Sequence, residues 1–305
     1  MRCLACQRET DSESYYHAKC LKSICDSIHV PGVPFTVADL PAKVSQATGK
    51  MSISGVQIKA SIRLSEDGKM FEIVSEGGTH ILKPAPTEYP ELPENENLVM
   101  NMAHELKMNV PPHGLFRMAD GKLCYIIKRF DRLPGGKKIH KEDMAQLLML
   151  PADRKYSSSL EAIGNVISVH TSEPRLELYD YFQRIIFNFI VGNGDMHLKN
   201  WSLITPAGGG NRLAPCYDFV CSKMYIDGEE DFALPIGGRK NGLNLKDFMR
   251  FALRFEMDEK VAENAIGSIL RLKPKFIEMI RDSFLSEERK AKLVKILEER
   301  IQQLI

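Results

Sequence analysis

Hydrophobic and polar positions alternate differently in two parts of the chain. Between residues 51 and 130 the apolar positions form short runs, rich in β-branched residues and separated by turn signals such as SEDGK, SEGG and ADGK. The runs ASIRLS, MFEIV, THILK and LCYIIK predict β-strands. The stretch PENENLVMNMAHELKMNV differs, because it places Val99, Met102, Ala103 and Leu106 on one face of a helix. The first part is therefore predicted to be a small sheet with one helix.

After RFDRLPGGKK the apolar spacing changes to three and four residues, which predicts helices. They are EDMAQLLML, LEAIGNVISV, RLELYDYFQRIIFNFIVG, NLKDFMRFALRF, EKVAENAIGSILRL, PKFIEMIRDSF and SEERKAKLVKILEERIQQLI. In the last of these, Ser286 is expected to be the N-cap. We therefore predict a two-lobed α+β protein with an N-terminal segment at 1–50, a β-rich N-lobe at 51–131 and a helical C-lobe at 132–305.

Composition narrows the class of protein. The chain has 305 residues, 44% of them hydrophobic, and a formal net charge of +1. That balance argues against direct nucleic-acid binding by bulk electrostatics. The sequence has no apolar run near the roughly 18 residues that a membrane span needs, and its N-terminus lacks the layout of a signal peptide. Seven cysteines, an odd number, fit reduced thiols. We expect a soluble cytoplasmic protein that does not contact a membrane.

A polar cluster follows directly after a long apolar helix. The run GNGDMHLKNWS carries Asp195 and Asn200 in the spacing D-x-x-x-x-N, with His197 and Lys199 between them. Such a cluster is costly beside a core unless each polar group has a partner or a function. In protein kinases this spacing supplies the Asp that accepts the substrate hydroxyl proton and the Asn that holds Mg²⁺. Downstream, YDFV places Asp218 where a second Mg²⁺ ligand would stand.

Two features of the first part match phosphate binding. Lys83 ends the strand THILK, and Glu96 lies on the following helix, as in the kinase pair of a phosphate-binding Lys and the carboxylate that orients it. Upstream, SISGVQIKAS contains Ser52 and Ser54, and a turn there would present backbone N–H groups and hydroxyls to phosphates. The segment has one glycine, Gly55, where a glycine-rich loop has three.

Each of these residues also has a simpler explanation. Taken alone, Asp195 fits a turn after a helix, and His197 fits a half-buried histidine with ordinary partners. Lys83 before a proline fits a solvated strand end, and Glu96 fits an acidic helix start that the helix dipole favours. The complete set on the expected elements, in the expected order, favours a kinase.

The N-terminus holds a separate pattern. Cys3, Cys6, His17 and Cys20 have the spacing C-x2-C-x10-H-x2-C, which suits a tetrahedral structural Zn²⁺. The alternative is four unrelated reduced side chains, since Cys25 shows that cysteine is frequent here. Zinc knuckles can also bind RNA, but the neighbouring residues are not strongly basic, which favours a structural role.

The motifs SISGVQIKAS, THILKP, ENEN, IIKRFDR, GNGDMHLKN and YDFV, in this order, resemble those of the HipA-like serine/threonine kinases of toxin–antitoxin systems. The resemblance covers about residues 50–300. It implies a protein-kinase-like fold with ATP and Mg²⁺ between the two lobes. It also implies that Asp195 is the catalytic base and that Asn200 and Asp218 hold Mg²⁺.

The resemblance assigns further residues to ATP. Lys83 with Glu96 would contact the phosphates, His197 would lie near them, and the segment KRFD would be the hinge, with Asp131 near the ribose. The remaining residues that it places at the nucleotide are Ser52, Ser54, Gly55, Val56, Gln57, Lys128 and Phe130. Autophosphorylation is expected at Ser54 or Ser52, with Ser54 favoured because Gly55 lets the backbone move.

The chain looks similar to the compact HipT kinases, because it lacks the extra N-terminal domain of about a hundred residues of longer members. This likeness implies a HipB-like DNA-binding antitoxin and a small HipS-like protein as partners, and an aminoacyl-tRNA synthetase as substrate. Two alternatives stay open: a kinase-like regulatory protein that docks a DNA-bound antitoxin, and a kinase of small molecules. The set Lys83, Asp195, Asn200 and Asp218 favours phosphoryl transfer over docking.

Overall fold

A computed structural model describes residues 1–48, 57–133 and 137–305. The predicted loop residues Ser52, Ser54, Gly55 and Val56 lie outside the described residues. The chain forms two compact units. The first comprises 1–101, 110–137 and 281–285, and the second comprises 102–109, 138–280 and 286–305. The N-terminal residues, predicted as a segment of their own, group with the first unit.

The first unit is built on an antiparallel five-stranded sheet with the strand order β2-β1-β3-β5-β4. The strands are β1 (Ala60–Leu64), β2 (Phe71–Ile73), β3 (His80–Pro84), β4 (His113–Arg117) and β5 (Leu123–Lys128). The four predicted strands are confirmed. The prediction missed β4, whose five residues include Gly114 and follow a pair of prolines, so that a turn signal masks the strand pattern.

Three helices complete the first part of the chain: α1 (Ala18–Cys25), α2 (Leu40–Thr48) and α3 (Leu92–Glu105). The predicted apolar face of α3 is confirmed, because Val99, Met102 and Ala103 are fully buried, and Leu106, just beyond the helix, is half-buried. The N-terminal residues share one apolar core with the sheet, to which α1 contributes Leu21 and Ile24.

A short stretch from near the chain end belongs to the first unit. In residues 281–285, Phe284 packs against the core of that unit. Arg2 and Asp282 form an ion pair with 2.6 Å between nitrogen and oxygen. The first unit is therefore assembled from three stretches of chain, and the third of them comes from near the chain end.

The second unit is mainly helical. Its helices are α4 (Met144–Leu147), α5 (Leu160–His170), α6 (Pro174–Val191), α7 (Leu245–Arg254), α8 (Glu259–Leu270), α9 (Lys273–Arg281) and α10 (Glu287–Gln302). All the predicted helices are confirmed, and Ser286 occupies the N-cap of α10. A small sheet of β6 (His140–Asp143), β7 (Ser202–Thr205) and β8 (Arg212–Leu213) was not predicted. Within the described residues, no helix is both long and apolar enough to cross a bilayer.

Helix α6 forms the centre of the second unit and determines where its polar cluster begins. Phe182, Ile185, Ile186 and Phe189 on this helix are fully buried. The helix ends at Gly192, whose φ of 72° lies in the left-handed region. A side chain there would also meet Ile296 Cγ2 at 2.8 Å, so only glycine fits this turn. The chain therefore leaves the core abruptly and enters the loop that carries Asp195.

Candidate active site

The loop after α6 is fixed by buried amides. The Asn193 side chain, fully buried, donates to the Asn188 side-chain oxygen at 2.8 Å, and Asn188 in turn donates to the Arg184 carbonyl. The Asn193 side-chain oxygen accepts from the backbone N–H of Asp195 at 3.3 Å. Because each buried amide has a partner on α6 or in the loop, the position of Asp195 is determined by the core helix.

Asp195 and Asn200 are brought onto one closed turn. The Asn200 Nδ2 donates to the Asp195 carbonyl at 3.1 Å, and the backbone N–H of His197 donates to the same carbonyl at 2.8 Å. Met196 and Leu198, which alternate with these polar residues, are fully buried and anchor the turn. The predicted D-x-x-x-x-N pair therefore lies on one side of a loop, and the apolar side chains on the other side of that loop pack into the core.

The Asp195 carboxylate has a specific donor that the sequence did not reveal. The Tyr156 hydroxyl donates to Asp195 Oδ1 at 2.7 Å. The pKa of Tyr156 is raised, mainly because the side chain is buried and also because the Asp195 carboxylate is close. The Tyr156 ring also packs edge-on against the His197 ring, with 5.3 Å between centroids. Tyr156 lies 39 residues before Asp195 in a segment without periodicity, so no sequence signal points to it.

His197 is held as a buried, neutral ring. It is 7% exposed, and its burial lowers its pKa, while the Asp195 carboxylate and, less strongly, the Asp218 carboxylate act in the opposite direction. Both carboxylates therefore lie near this ring. Among the described residues, no group hydrogen-bonds to His197 Nδ1. A buried ring nitrogen without a protein partner suits contact with a ligand.

Asp218 occupies an unusual backbone conformation. Its φ is 57°, in the left-handed region that costs a non-glycine residue about 1–2 kcal/mol. The neighbouring Phe219 is 1% exposed, and the backbone carbonyl of Asp218 accepts from the Asn193 side chain at 3.5 Å. Backbone strain of this kind is concentrated at functional sites, where surrounding contacts hold it. Asn193 thus links the Asp218 segment to the Asp195 loop.

The first unit contains the predicted lysine–glutamate pair. Lys83 Nζ lies 2.5 Å from Glu96 Oε1, and the two side chains are 4% and 2% exposed. Lys83 stands near the end of β3, opposite Tyr125 on β5, whose ring centroid lies 5.5 Å from Nζ. Gln57, another predicted nucleotide residue, donates from its side chain to the Pro84 carbonyl at 2.8 Å.

The predicted hinge residues have partners of their own. Lys128 forms an ion pair with Asp26 at 2.7 Å. The Asp131 carboxylate accepts from Arg129 at 2.9 and 2.7 Å and from Arg132 at 2.7 Å, while Phe130 is half-buried. Their roles at the nucleotide stay predictions.

A further carboxyl group supports the catalytic turn and was also missed. The backbone N–H of Gly194 donates to the Ser222 hydroxyl at 2.8 Å, and Ser222 donates to Glu229 Oε2 at 2.8 Å. Burial raises the pKa of Glu229 to about 7. A side chain at position 194 would meet the Glu230 backbone carbonyl at 2.7 Å as well as the Glu229 carboxyl group, so this position beside Asp195 favours glycine. In the sequence, Gly194 was the feature that could have indicated this close packing beside Asp195.

Comparisons with known proteins identify the family. Residues 51–275 match the family described as HipA-like C-terminal domain. A Haemophilus influenzae protein that is provisionally named a kinase is 30% identical over 92% of this chain and 90% of its own length. The serine/threonine-protein kinase toxin HipA of Shewanella oneidensis is 30% identical over 64% of this chain. The matched region covers 49% of the length of that protein.

Solved structures show the same fold. The HipA chain of the Shewanella oneidensis complex of HipA, HipB and operator DNA superposes with a TM-score of 0.71 at 23% identity, covering 83% of this chain and 65% of that one. The Helicobacter pylori proinflammatory kinase CtkA gives a TM-score of 0.54 at 18% identity, over 74% and 87% of the two chains. The predicted kinase-like α+β fold is confirmed. The chain belongs to the HipA-like family of kinases.

Proposed function

We propose that this chain is an ATP- and Mg²⁺-dependent serine/threonine protein kinase and the toxin of a toxin–antitoxin module. The observation that carries the proposal is the closed turn in which Asn200 donates to the Asp195 carbonyl while Tyr156 orients the Asp195 carboxylate. A docking protein has no need of a carboxylate held by a tyrosine on a turn anchored in the core. A phosphotransferase does, because its catalysis depends mainly on positioning.

The residues present fit a nucleotide with its metal. Asn200 and Asp218 offer an amide oxygen and a carboxylate, the oxygen ligands that Mg²⁺ prefers. The strained backbone of Asp218 and the unpartnered Nδ1 of His197 within the described residues are features expected beside a charged ligand. When bound, Mg·ATP supplies the phosphoryl group and neutralises the charge that develops during its transfer.

The chain's own side chains have separate roles. The Asp195 carboxylate orients the substrate hydroxyl and accepts its proton, and the Tyr156 hydroxyl fixes the direction of that carboxylate. The Lys83 ammonium group binds phosphate oxygens, and the buried Glu96 holds the lysine in one rotamer. His197, kept neutral by burial, donates from or accepts at its ring nitrogen without adding charge to the site.

We also propose a substrate and partners, on the basis of similarity to relatives. The Shewanella relative is named a toxin, and its structure is that of a complex with HipB and operator DNA. We therefore propose a HipB-like antitoxin as partner, with a small HipS-like protein, as in the compact HipT kinases. The proposed substrate is an aminoacyl-tRNA synthetase, which places the action of the enzyme in the cytoplasm together with its ATP.

A labelling experiment tests the proposed activity. The purified chain is incubated with γ-³²P-ATP and a bacterial lysate, beside Asp195→Asn and the matched control Asp153→Asn, which changes an exposed aspartate. We expect one labelled lysate protein with the wild type and the control, and none with Asp195→Asn. Label only in small molecules would contradict a protein substrate, and equal labelling by Asp195→Asn would remove that residue from the reaction.

Self-modification is a second part of the proposal. Ser52 and Ser54 both precede the single glycine of the predicted phosphate loop, and a phosphoserine adds about −1.5 to −2 charges. That charge would repel the ATP phosphates and lower activity. Mass spectrometry after incubation with Mg·ATP should find phosphate on Ser54 or Ser52 in the wild type and not in Asp195→Asn. Unmodified serines after long incubation would contradict it.

A further inference from the structure

The N-terminal Cys and His residues, which phosphoryl transfer does not use, form a compact cluster. The ligand atoms of Cys3, Cys6, His17 and Cys20 all lie within 4.8 Å of one another. Cys6 Sγ is 3.3 Å and Cys20 Sγ is 3.9 Å from His17 Nδ1. With Zn–S near 2.3 Å and Zn–N near 2.0–2.1 Å, tetrahedral ligands lie roughly 3.5–3.8 Å apart. The four ligand atoms are therefore close to the spacing of a closed tetrahedral site, and small side-chain shifts would complete it.

The backbone around the first two cysteines forms a tight turn. The N–H of Gln7 donates to the Cys3 carbonyl at 2.8 Å, and the N–H of Cys3 donates to the Arg8 carbonyl at 2.9 Å. Gln7 has a φ of 61°, a left-handed conformation that a non-glycine residue adopts only when other contacts hold it. This turn directs Cys3 and Cys6 to the same point.

The second ligand pair is fixed by a helix start. His17 is the N-cap of α1, and Cys20 lies in the first turn of that helix, where the N–H of Cys20 donates to the His17 carbonyl at 2.9 Å. Residues three apart at a helix start share one face, so both side chains point to the turn of Cys3 and Cys6.

The orientation of the histidine ring matches a metal ligand. His17 Nε2 lies 2.9 Å from the Glu9 carbonyl, so Nε2 carries the proton and donates it. The lone pair is then on Nδ1, the nitrogen that faces Cys6 and Cys20. Metal-bound histidines nearly always use their second nitrogen in this way, because the bond fixes the tautomer and the ring plane.

The residues between the ligands connect the cluster to the sheet. The Leu4 carbonyl accepts from the backbone N–H of Leu115 on β4 at 2.9 Å, and the Tyr16 hydroxyl donates to the Leu115 carbonyl at 2.6 Å. Ala5 packs so closely on Gly114 that a Cβ there would lie 3.0 Å from the Ala5 Cβ. The cluster therefore packs against β4, an edge strand of the sheet in the first unit.

The same segment also reaches the helix that carries Glu96. The Asn101 side chain on α3 donates to the Ala5 carbonyl and to the Asn97 carbonyl, both at 2.8 Å. Asn101 lies about one and a half turns after Glu96. The position of α3, and with it the Lys83–Glu96 pair, is thus tied to the residue that precedes Cys6.

We propose that Cys3, Cys6, His17 and Cys20 bind one structural Zn²⁺ and that this zinc clip, the segment 3–20 closed by the metal, holds α3 in the position that pairs Glu96 with Lys83. A structural zinc contributes directly to folding free energy, because the unfolded chain has no preformed site. The second half of the proposal rests on the proposed function, since it makes ATP affinity depend on a metal that does not touch the nucleotide.

Metal content of the full-length wild type is the primary test, because it depends on neither catalysis nor a variant. Protein prepared without chelator should contain about one zinc per chain, released when a mercurial reagent titrates the thiols. His17→Ala should lose the zinc, whereas His17→Cys should retain it as a four-cysteine site. The control Cys25→Ala changes a buried thiol outside the cluster and should keep its zinc.

Two results would overturn the site. One is metal-free wild type in which the three cluster thiols, Cys3, Cys6 and Cys20, react freely. The other is metal-free wild type with a disulfide within the cluster.

Nucleotide affinity tests the link to α3. Asn101→Leu removes the donor to Ala5 and leaves every zinc ligand in place. We expect full zinc content with ATP binding weakened roughly three- to ten-fold, the range of one lost hydrogen bond. Unchanged ATP affinity would overturn the link. Wild type that binds zinc and no ATP would contradict the proposed function and the link together, while the metal content would still establish the clip.

Discussion

The buried pair of Lys83 and Glu96 allows a sharp test of how the first unit is organised. The two side chains are 4% and 2% exposed, and 2.5 Å separates their charged atoms. Lys83→Met removes the ammonium group while keeping an unbranched chain of similar length. Glu96→Leu removes the negative charge and places an apolar group of similar volume there. The double variant Lys83→Met with Glu96→Leu removes both charges from the buried site.

The expected losses of stability follow from the burial of the two side chains. Removing one member of a buried ion pair leaves the other charge without its counter-ion and costs about 3–5 kcal/mol. Replacing both members by apolar groups of similar volume is often nearly neutral. For a chain of this size each kcal/mol shifts the melting temperature by about 2–4 °C, so the single variant Lys83→Met should melt roughly 6–20 °C lower. The double variant should recover most of that loss.

The assay combines calorimetry with nucleotide binding. All three variants should bind ATP poorly, because each lacks the oriented ammonium group, yet only the single variants should be strongly destabilised. A matched control is Lys69→Met, which changes an exposed lysine in an ion pair with Asp67. If the double variant is as unstable as the sum of the singles, the pair does not act as a coupled unit and the reasoning is refuted.

The remaining predictions concern the second unit. Asp195→Asn and Asp218→Asn should each lower phosphoryl transfer by about 100- to 10,000-fold without lowering the melting temperature, and a variant that transfers at the wild-type rate is excluded from the mechanism. Tyr156→Phe keeps the ring on His197 and removes the donor to Asp195, so kcat should fall roughly ten-fold, about 1.4 kcal/mol, with an unchanged KM for ATP; a change in KM alone would contradict a positioning role. Burial raises the pKa of Glu229 to about 7, so its stabilising protonated form is fully present below its ordinary pKa of 4.5 and is lost as pH rises through about 7. Calorimetry from pH 5 to 8 should show this decline in the wild type and a flatter profile in Glu229→Gln, and equal slopes would refute it.

The sequence predicted the parts of the site that lie on periodic elements or within one motif of fixed spacing. Lys83 was expected at a strand end and Glu96 on the next helix, and the structure joins them at 2.5 Å. The spacing of Asp195 and Asn200 implied one loop, and the structure closes that loop on a single carbonyl. The first prediction rests on the periodicity of a strand and a helix, and the second on the D-x-x-x-x-N spacing of a loop motif.

The groups that orient those residues could not be predicted. Tyr156 and Glu229 reach the catalytic turn from segments without helical or strand periodicity, and only the packing of the second unit brings them there. The arginine partners of Asp131 were likewise not foreseen, since neighbouring charges in sequence do not reveal which pairs form. Strand β4 was missed because Gly114 and a pair of prolines indicate a turn there, and the small sheet because β6 (HKED) has no apolar residue and β8 has only two residues.

The divided composition of the first unit has a consequence for the timing of synthesis. Residues 281–285 complete that unit, and Phe284 and Asp282 join it only after most of the chain of the second unit has been made. At about 5–20 residues per second, the ribosome needs roughly 7–30 s to pass from residue 137, the end of the second stretch of this unit, to residue 281. During that interval the sheet that carries Lys83 lacks its last core residues. A nascent chain of this enzyme is therefore expected to acquire nucleotide affinity only near the end of translation.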